Sequence, residues 1–282
     1  MTTQPTSSAG TGTRLPVRKT YKLYVGGAFV RSESGRHDPV LDERGSHVAN
    51  ITRASRKDVR DAVKAARKAL PGWAGKTAYN RGQVLYRAAE ALESRAAEFD
   101  GAQVSEAIDT LVHYAGWTDK LAPVLGGVNP VAAPFLSFSM PEPTGVVGVV
   151  APDEPELLGL VGAIAPALAA GDTVVAICSE RKPLPGLDLG EVFAVSDVPG
   201  GVVNLLAGRR AELAPALGAH RDLNAIVDAS GDPDLGRQLD TLAAETVKRV
   251  LRIDAGSDAR EDALRRLEAL VELKTAWHPI GA

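Results

Sequence analysis

Three carboxylates stand close together directly after an apolar run. The stretch APDEPE at residues 151–156 follows GVVGVV, which has the composition of a buried strand. Carboxyl groups at the end of such a strand could act as general acid and general base, and Glu154 and Glu156 are the candidates. An alternation of acidic residues with proline is also typical of a solvated loop, so both interpretations stay open.

The chain has one cysteine, Cys178, within the apolar stretch DTVVAIC. A single cysteine excludes an intrachain disulfide and any metal site built from several thiolates. Its apolar neighbours favour a buried side chain that serves packing rather than a nucleophile. No HExxH motif is present and the histidines are scattered, so the sequence predicts no metal site; they are His37, His47, His113, His220 and His278.

Strands and helices alternate in the second half of the chain. The stretches GVVGVVAP, DTVVAIC, GGVVNLLAG and residues 224–228 predict strands, and LLGLVGAIAPALAAG and residues 184–194, 211–219 and 233–244 predict helices. Short connections between them predict an α/β fold with a doubly wound parallel sheet. The ligand crevice of such a sheet lies beyond the carboxyl ends of its strands, where helix N-termini can hold phosphate.

The first half predicts smaller strands and a helical part. YKLYVGGAFV predicts a hairpin, and a further strand is expected over 47–51. Ser55, three residues before Asp58, predicts the N-cap of a helix that Pro71-Gly72 ends. Amphipathic helices are expected over 80–99 and 105–121.

Two later segments predict elements outside this sheet. Residues 123–143 are rich in proline and predict a loop or an edge strand that stands off the body. A last amphipathic helix is expected over 257–274, with Leu264, Leu267 and Val271 on one face.

Composition narrows the function classes. The 282 residues are 45% hydrophobic and 24% charged, with a net charge of −3, so nothing favours nucleic-acid or membrane-surface binding. The apolar run at 157–171 contains Pro166 and is shorter than the about 20 residues of a membrane span. Residues 1–20 lack an apolar signal-peptide core and predict a flexible arm, so we expect a cytoplasmic protein.

Ordered strings over residues 21–254 resemble the NAD(P)-dependent aldehyde dehydrogenase superfamily. The matching stretches are LYVGGAFV, AARKALPGWAG, RGQVLYRAAEALESRAAEF, YAGWTDKL, PEPTGVVGVVAP, IAPALAAGDTVV, PGGVVNLLAGRRAEL and VKRVLRI. The resemblance implies a Rossmann-like cofactor domain over 21–256. In the family, the domain that carries the nucleophilic cysteine would begin after VKRVLRI, so we expect a truncated member that lacks it, with a C-terminal helix and tail over 257–282.

The resemblance also implies that the family's catalytic groups are missing. The family's APWNFP, whose asparagine helps to form an oxyanion hole, reads APDEPE here, and Glu154 cannot donate that hydrogen bond. The family's ELGG carries the general base, but the matching stretch at 252–256 reads RIDAG, which makes Asp254 a capping or solvated carboxylate. Cys178 falls on a cofactor-domain strand. We therefore predict no catalytic residues.

The cofactor residues that the resemblance implies are Glu180, Gly208, Gly231 and Gly236. Glu180 is what remains of a lysine–glutamate pair that reaches the adenosine ribose, and Gly208 opens a glycine-rich turn near the adenine. Gly231 and Gly236 flank the turn for the diphosphate, which also holds two acidic residues, Asp232 and Asp234. Their charges would repel a diphosphate. We expect NAD or NADP, if any, to bind weakly.

Residues 123–143 match the family's oligomerisation segment, and Val128–Met140 fits the protruding strand. The alternatives are pairing with another chain, which we favour, and a strand folded over its own sheet. We expect a homo-oligomer or a hetero-oligomer with a full-length aldehyde dehydrogenase, acting as an inactive structural or regulatory subunit. A stand-alone NAD(P)-binding module and a residual oxidoreductase acting on aldehydes are the other hypotheses.

Overall fold

The computed structural model describes residues 17–42, 44–99 and 101–280. Its strands are β1 (Thr20–Tyr21), β2 (Leu23–Val25), β3 (Ala28–Val30), β4 (His37–Leu41), β5 (His47–Thr52), β6 (Gly127–Asn129), β7 (Phe135–Pro143), β8 (Val146–Val150), β9 (Thr173–Ile177), β10 (Val203–Leu206), β11 (Ala225–Asp228), β12 (Arg249–Arg252) and β13 (Val271–Pro279). Its helices are α1 (Arg56–Ala74), α2 (Ala78–Ser94), α3 (Gly101–Trp117), α4 (Leu121–Leu125), α5 (Glu156–Ala170), α6 (Leu184–Val195), α7 (Arg210–Gly218), α8 (Pro233–Ala244) and α9 (Ala263–Glu268).

A seven-stranded sheet with the order β12-β11-β8-β9-β10-β2-β3 forms the body. Strands β8 to β12 run parallel, and the β2–β3 hairpin adds antiparallel strands at one edge. Helices α2, α3, α5 and α6 cover one face and α1, α7 and α8 cover the other, so β8, β9, β10 and β11 are buried throughout. The predicted doubly wound α/β fold is confirmed. The chain leaves β8 toward β9 and β10, then returns across the sheet to β11.

Helix α1 begins at the predicted cap but does not end where expected. The Ser55 hydroxyl accepts from the backbone N–H of Asp58, and the Asp58 carboxylate accepts from the Ser55 N–H at 2.7 Å. The helix continues through Pro71 to Ala74, so the predicted end at Pro71-Gly72 is wrong. Trp73 explains the difference, because it is buried and its indole N–H donates to the Leu168 carbonyl at 3.2 Å. This tertiary contact holds the last turn on the body.

The prediction of a C-terminal helix over 257–274 is largely wrong. Helix α9 spans only Ala263–Glu268, and the following residues form β13, which pairs antiparallel with β7 along all nine of its residues. Of the three residues predicted on one face, Leu267 and Val271 are buried but Leu264 is 40% exposed, so the predicted face is not formed. Val271 is buried as the first residue of a strand. The stretch VELKTAWHP contains strand-favouring residues, and pairing with β7 satisfies the backbone groups along one of its edges, so tertiary contact overrides the helical periodicity.

A separate three-stranded sheet has the order β13-β7-β6. The predicted strand over Val128–Met140 is divided between β6 and β7, and α4 precedes them. Because β7 pairs with β13 on one side and β6 on the other, both of its edges are used within this chain. Within Val128–Met140, β7 is therefore the central strand and β6 is an outer strand, so the predicted pairing with another chain stays a prediction and would involve β6. A second chain could join this sheet by backbone pairing only at β13 or β6.

The start of the chain forms a third sheet, with the order β1-β5-β4. Residues 1–16 of the predicted flexible arm lie outside the described residues, while Thr20 already belongs to β1. Across residues 17–42, 44–99 and 101–280, no helix combines the length and the apolar character that a membrane crossing requires. The same residues contain no group of histidine, cysteine and carboxylate side chains that could hold a metal ion.

Candidate functional site

The crevice of the seven-stranded sheet lies where β8 and β11 end side by side. From β8 the chain continues to β9 on one side, and from β11 it continues to β12 on the other, which leaves a crevice between the two connections. Pro152 and Pro155 border it after β8, Ala229 borders it after β11, and Ile253 borders it after β12. The other walls come from α3, α5, Arg266 and residues 254–260 of the segment 254–262, which connects β12 to α9. We call this segment the connector.

The connector is anchored to the helices beneath it by buried hydrogen bonds. The Tyr114 hydroxyl donates to the Ala259 carbonyl at 2.7 Å. Arg266, which is 1% exposed, donates to the Gly162 carbonyl at 3.0 Å and to the Ser257 hydroxyl at 2.8 Å. Ala259 packs against Gly162, where an added Cβ would lie 3.1 Å from the Ala259 methyl group. The connector therefore closes one side of the crevice with the chain's own residues.

The structure does not assemble the carboxylates at residues 151–156 into an acid–base pair. Glu154 is exposed and forms an ion pair with Lys182 at 3.3 Å. Glu156 is buried at the start of α5 and accepts from the Gln103 amide at 3.1 Å. Each carboxylate thus has a partner of its own on a different element. The interpretation as a solvated loop fits the exposed Glu154 but not Glu156, which is buried in the first turn of α5.

Asp254 closes a turn at the start of the connector. Its carboxylate accepts from the Gly256 backbone N–H at 3.1 Å, and its carbonyl accepts from the Ser257 N–H at 3.0 Å. Asp254 is thus an exposed carboxylate that closes a short turn, and it caps no helix within the described residues.

Cys178 is buried at the end of β9. It has no exposed surface, and burial raises the pKa of its thiol to about 12. A side chain at Gly186 on α6 would lie 2.7 Å from the Cys178 sulfur, so the thiol is packed tightly against that helix. A thiol with this pKa stays protonated at neutral pH and is a poor nucleophile. The predicted packing role is confirmed.

Glu180 and Gly208 lie at one edge of the sheet, after β9 and β10 respectively. The Glu180 carboxylate accepts from the Arg210 backbone N–H at 2.6 Å, at the first turn of α7. A side chain at Gly208 would lie 3.2 Å from the Ala54 nitrogen and 3.1 Å from Leu213. The need for glycine at 208 therefore follows from the packing of the β5–α1 turn.

Gly231 and Gly236 flank the start of α8, as predicted. Gly231 has a φ of +69°, a conformation that favours glycine, and it borders open space. A side chain at Gly236 would lie 3.2 Å from Arg252 and 3.3 Å from the Asp228 carboxylate. Between the two glycines, the Asp232 carboxylate accepts from the N–H groups of Asp234 at 2.9 Å and Leu235 at 3.2 Å. The helix N-terminus is therefore capped by the chain itself.

The sequence did not reveal the contact between Asp153 and Arg210. The Arg210 guanidinium donates to both Asp153 oxygens, at 3.0 and 3.1 Å, and to the Ala151 carbonyl at 2.9 Å. The one signal in the sequence is their opposite charge at two strand ends, with Asp153 after β8 and Arg210 after β10.

Comparison with known proteins places these features in a family. The sequence matches the aldehyde dehydrogenase family over residues 29–259. It is 34% identical over 254 residues to 2-hydroxymuconic semialdehyde dehydrogenase from Pseudomonas sp. (strain CF600), covering 82% of this chain and 51% of that protein. It is 30% identical over 253 residues to the mitochondrial aldehyde dehydrogenase family 2 member B4 of Arabidopsis thaliana, covering 83% of this chain and 46% of that protein.

Solved structures agree with this assignment. PnpE from Pseudomonas sp. WBC-3 superposes with a TM-score of 0.79 at 30% identity, over 83% of this chain and 50% of that one. The aldehyde dehydrogenase of Bacillus cereus, solved as its NAD+ complex, has a TM-score of 0.78 at 27% identity, with the same two coverages. The chain spans about half the length of the relatives that it matches. It belongs to the aldehyde dehydrogenase family.

Proposed function

We propose that this chain is a catalytically inactive aldehyde dehydrogenase that serves as a structural or regulatory subunit of a full-length aldehyde dehydrogenase. The observation that carries the proposal is the three-stranded sheet, which exposes large apolar side chains on both faces. Cys178 and Glu154 support it, because the buried thiol is a poor nucleophile and a carboxylate cannot donate a hydrogen bond to an oxyanion.

The two faces of this sheet follow from its register. Paired residues share a face and successive residues point to opposite faces. One face carries Val128, Leu136 and Met140, which are 72%, 41% and 49% exposed, around the half-buried Phe138. The opposite face carries Phe135, Leu273 and Trp277. Apolar surface of this kind, gathered on one small sheet, is typical of a surface that a partner covers.

The edge of the sheet offers a second mode of attachment. β13 is nine residues long and uses only one of its edges, in pairing with β7. An unpaired edge of this length is a template for strand addition. Arg249 ties the start of β13 to the body through a hydrogen bond to the Glu272 carboxylate at 2.7 Å. A partner bound at the sheet would thus be held at a defined position relative to the α/β body.

Light scattering on the purified chain tests the assembly. We expect a homodimer, or a complex when a full-length aldehyde dehydrogenase from the same organism is added. Leu136→Asp with Met140→Asp should abolish the association, because charges would be placed within the apolar face. Val195→Asp is the matched control, since Val195 is 66% exposed on α6 outside the sheet. A species of 29.5 kDa at micromolar concentration, alone and in the mixture, would contradict the proposal.

A turnover assay tests the lack of catalysis. The purified chain should not reduce NAD or NADP in the presence of aliphatic or aromatic aldehydes, as followed by the absorbance of reduced nicotinamide. Aldehyde-dependent turnover would instead support a residual oxidoreductase. Tight binding of NAD or NADP without turnover would support the stand-alone nucleotide-binding module. PnpE and the Bacillus cereus enzyme were solved with the nucleotide bound, which makes NAD the first ligand to test.

A further inference from the structure

The edge where β8, β9 and β10 end is bridged by one side chain. Arg210 is the first residue of α7, after β10, and its guanidinium reaches back across the sheet to Asp153 and Ala151 after β8. The two side chains are 13% and 24% exposed, so the ion pair is largely withdrawn from water. A guanidinium that bonds both oxygens of one carboxylate forms a directional and comparatively strong contact.

Asp153 also holds the end of β9. Its carboxylate accepts from the backbone N–H of Glu180 at 2.9 Å, from that of Arg181 at 3.2 Å and from the Ser179 hydroxyl at 3.0 Å. Burial by itself would raise the pKa of Asp153, but the Arg210 charge and these hydrogen bonds outweigh it and hold the pKa below its ordinary value. The carboxylate is therefore ionised, and it occupies the backbone donors at this position.

Glu180 completes the network by accepting from the Arg210 backbone N–H at 2.6 Å. The backbone donors of the loops after β9 and β10 thus point at the protein's own carboxylates. A nucleotide bound at the carboxyl edge of such a sheet uses backbone donors of this kind and the N-termini of the helices. At α8 those donors are taken as well, because Asp232 caps the helix.

We infer that the ion pair of Arg210 with Asp153, together with the Asp232 cap, replaces the dinucleotide in this chain and closes the site from within. The residues at the site do not fit NAD or NADP. A diphosphate at α8 would have to displace one carboxylate beside the buried Asp228, and ribose hydroxyls would compete with Arg210 for Glu180. The ion pair stabilises the strand ends that a bound nucleotide would otherwise hold. This inference is independent of the subunit role.

Hydrogen exchange measured by mass spectrometry on the full chain tests both parts of the inference. We expect Arg210→Ala to speed exchange of the Glu180 and Arg181 amides about tenfold, because Asp153 loses the partner that holds it in place. Arg210→Lys keeps the charge without the two-pronged geometry and should give intermediate rates. Arg209→Ala is the matched control, since that neighbouring side chain is exposed, and its rates should equal those of the wild type.

NAD and NADP are the probes for the second part. At about 10 mM, enough to fill any site with a Kd below about 1 mM, neither should slow exchange anywhere in residues 151–153, 179–181 or 208–236 of the wild type. Slower exchange in these segments would overturn the inference, because the site would then be open to the nucleotide. Unchanged rates at Glu180 and Arg181 in Arg210→Ala would also overturn it, because the ion pair would not be holding the strand ends.

Discussion

Phe135 and Trp277 pack edge to face between β7 and β13, with ring centroids 6.0 Å apart and ring planes at 70°. They lie on the same face of the three-stranded sheet, diagonally across the paired strands. β7 comes directly before the parallel strands of the body and β13 comes after all of them. This aromatic contact therefore joins two segments that are separated in the sequence by all the parallel strands of the body.

We expect Trp277→Ala to lower the free energy of unfolding by about 1 kcal/mol, since an aromatic pair of this geometry contributes about that much. Urea denaturation followed by circular dichroism measures the change. Trp277→Phe keeps an aromatic ring at the position and should recover most of the loss. Equal stability of Trp277→Ala and the wild type would show that the ring contact does not help to hold β13 in place.

The buried guanidinium of Arg266 should contribute far more to the free energy of unfolding than the exposed side chain of Arg265. Arg266→Ala leaves the Gly162 carbonyl without its donor and opens a cavity beneath the connector, so we expect a loss of about 2–4 kcal/mol. Arg265→Ala is the matched control, because Arg265 is 55% exposed on the side chain and pairs with Asp262 at the surface. It should cost less than about 1 kcal/mol. Similar losses in the two variants by urea denaturation would contradict the anchoring role.

Cys178 should resist thiol reagents in the folded protein. Burial and the raised pKa leave no accessible thiolate, so a colorimetric disulfide reagent at mildly alkaline pH should react only after guanidinium is added. Val195→Cys in a Cys178→Ala background supplies an exposed thiol that should react at once without denaturant. Rapid labelling of the native wild type would mean that β9 opens at its carboxyl end.

His113 should make stability depend on pH. Burial lowers its pKa, and the Arg260 charge lowers it further, while its ring nitrogen accepts from the Trp117 indole N–H at 3.0 Å. Since the pKa is lower in the folded state, the contribution is fully present above the ordinary value of about 6.5 and is lost as the pH falls through the folded value.

The free energy of unfolding should therefore decrease between about pH 7 and pH 5, and His113→Gln should reduce that decrease. Burial also lowers the pKa of His220, so part of the slope should remain in this variant. If the slope of His113→Gln equals that of the wild type, the hydrogen bond from Trp117 does not depend on a neutral ring.

Local sequence patterns were sufficient to predict most helices and strands of the α/β body. Helix α8 spans the predicted residues 233–244. Its start is marked in the sequence by the adjacent residues Asp232, which caps the helix, and Pro233, which suits its first position. Ser55 and Asp58 mark the start of α1 in the same way, whereas its end depended on Trp73 reaching Leu168 on another helix. The buried strands were predictable because sheets covered on both faces require continuous apolar runs.

The sequence by itself determined the family resemblance, the alternation of strands and helices and the residue types at each strand end. Only the tertiary structure decided that residues 271–279 form a strand, because their partner β7 lies far away in the chain. It also decided that Arg210 meets Asp153. Those residues follow β10 and β8, and they come together because β9 lies between the two strands and all three end at the same edge. Strand order is set by packing across the whole sheet, and no local pattern encodes it.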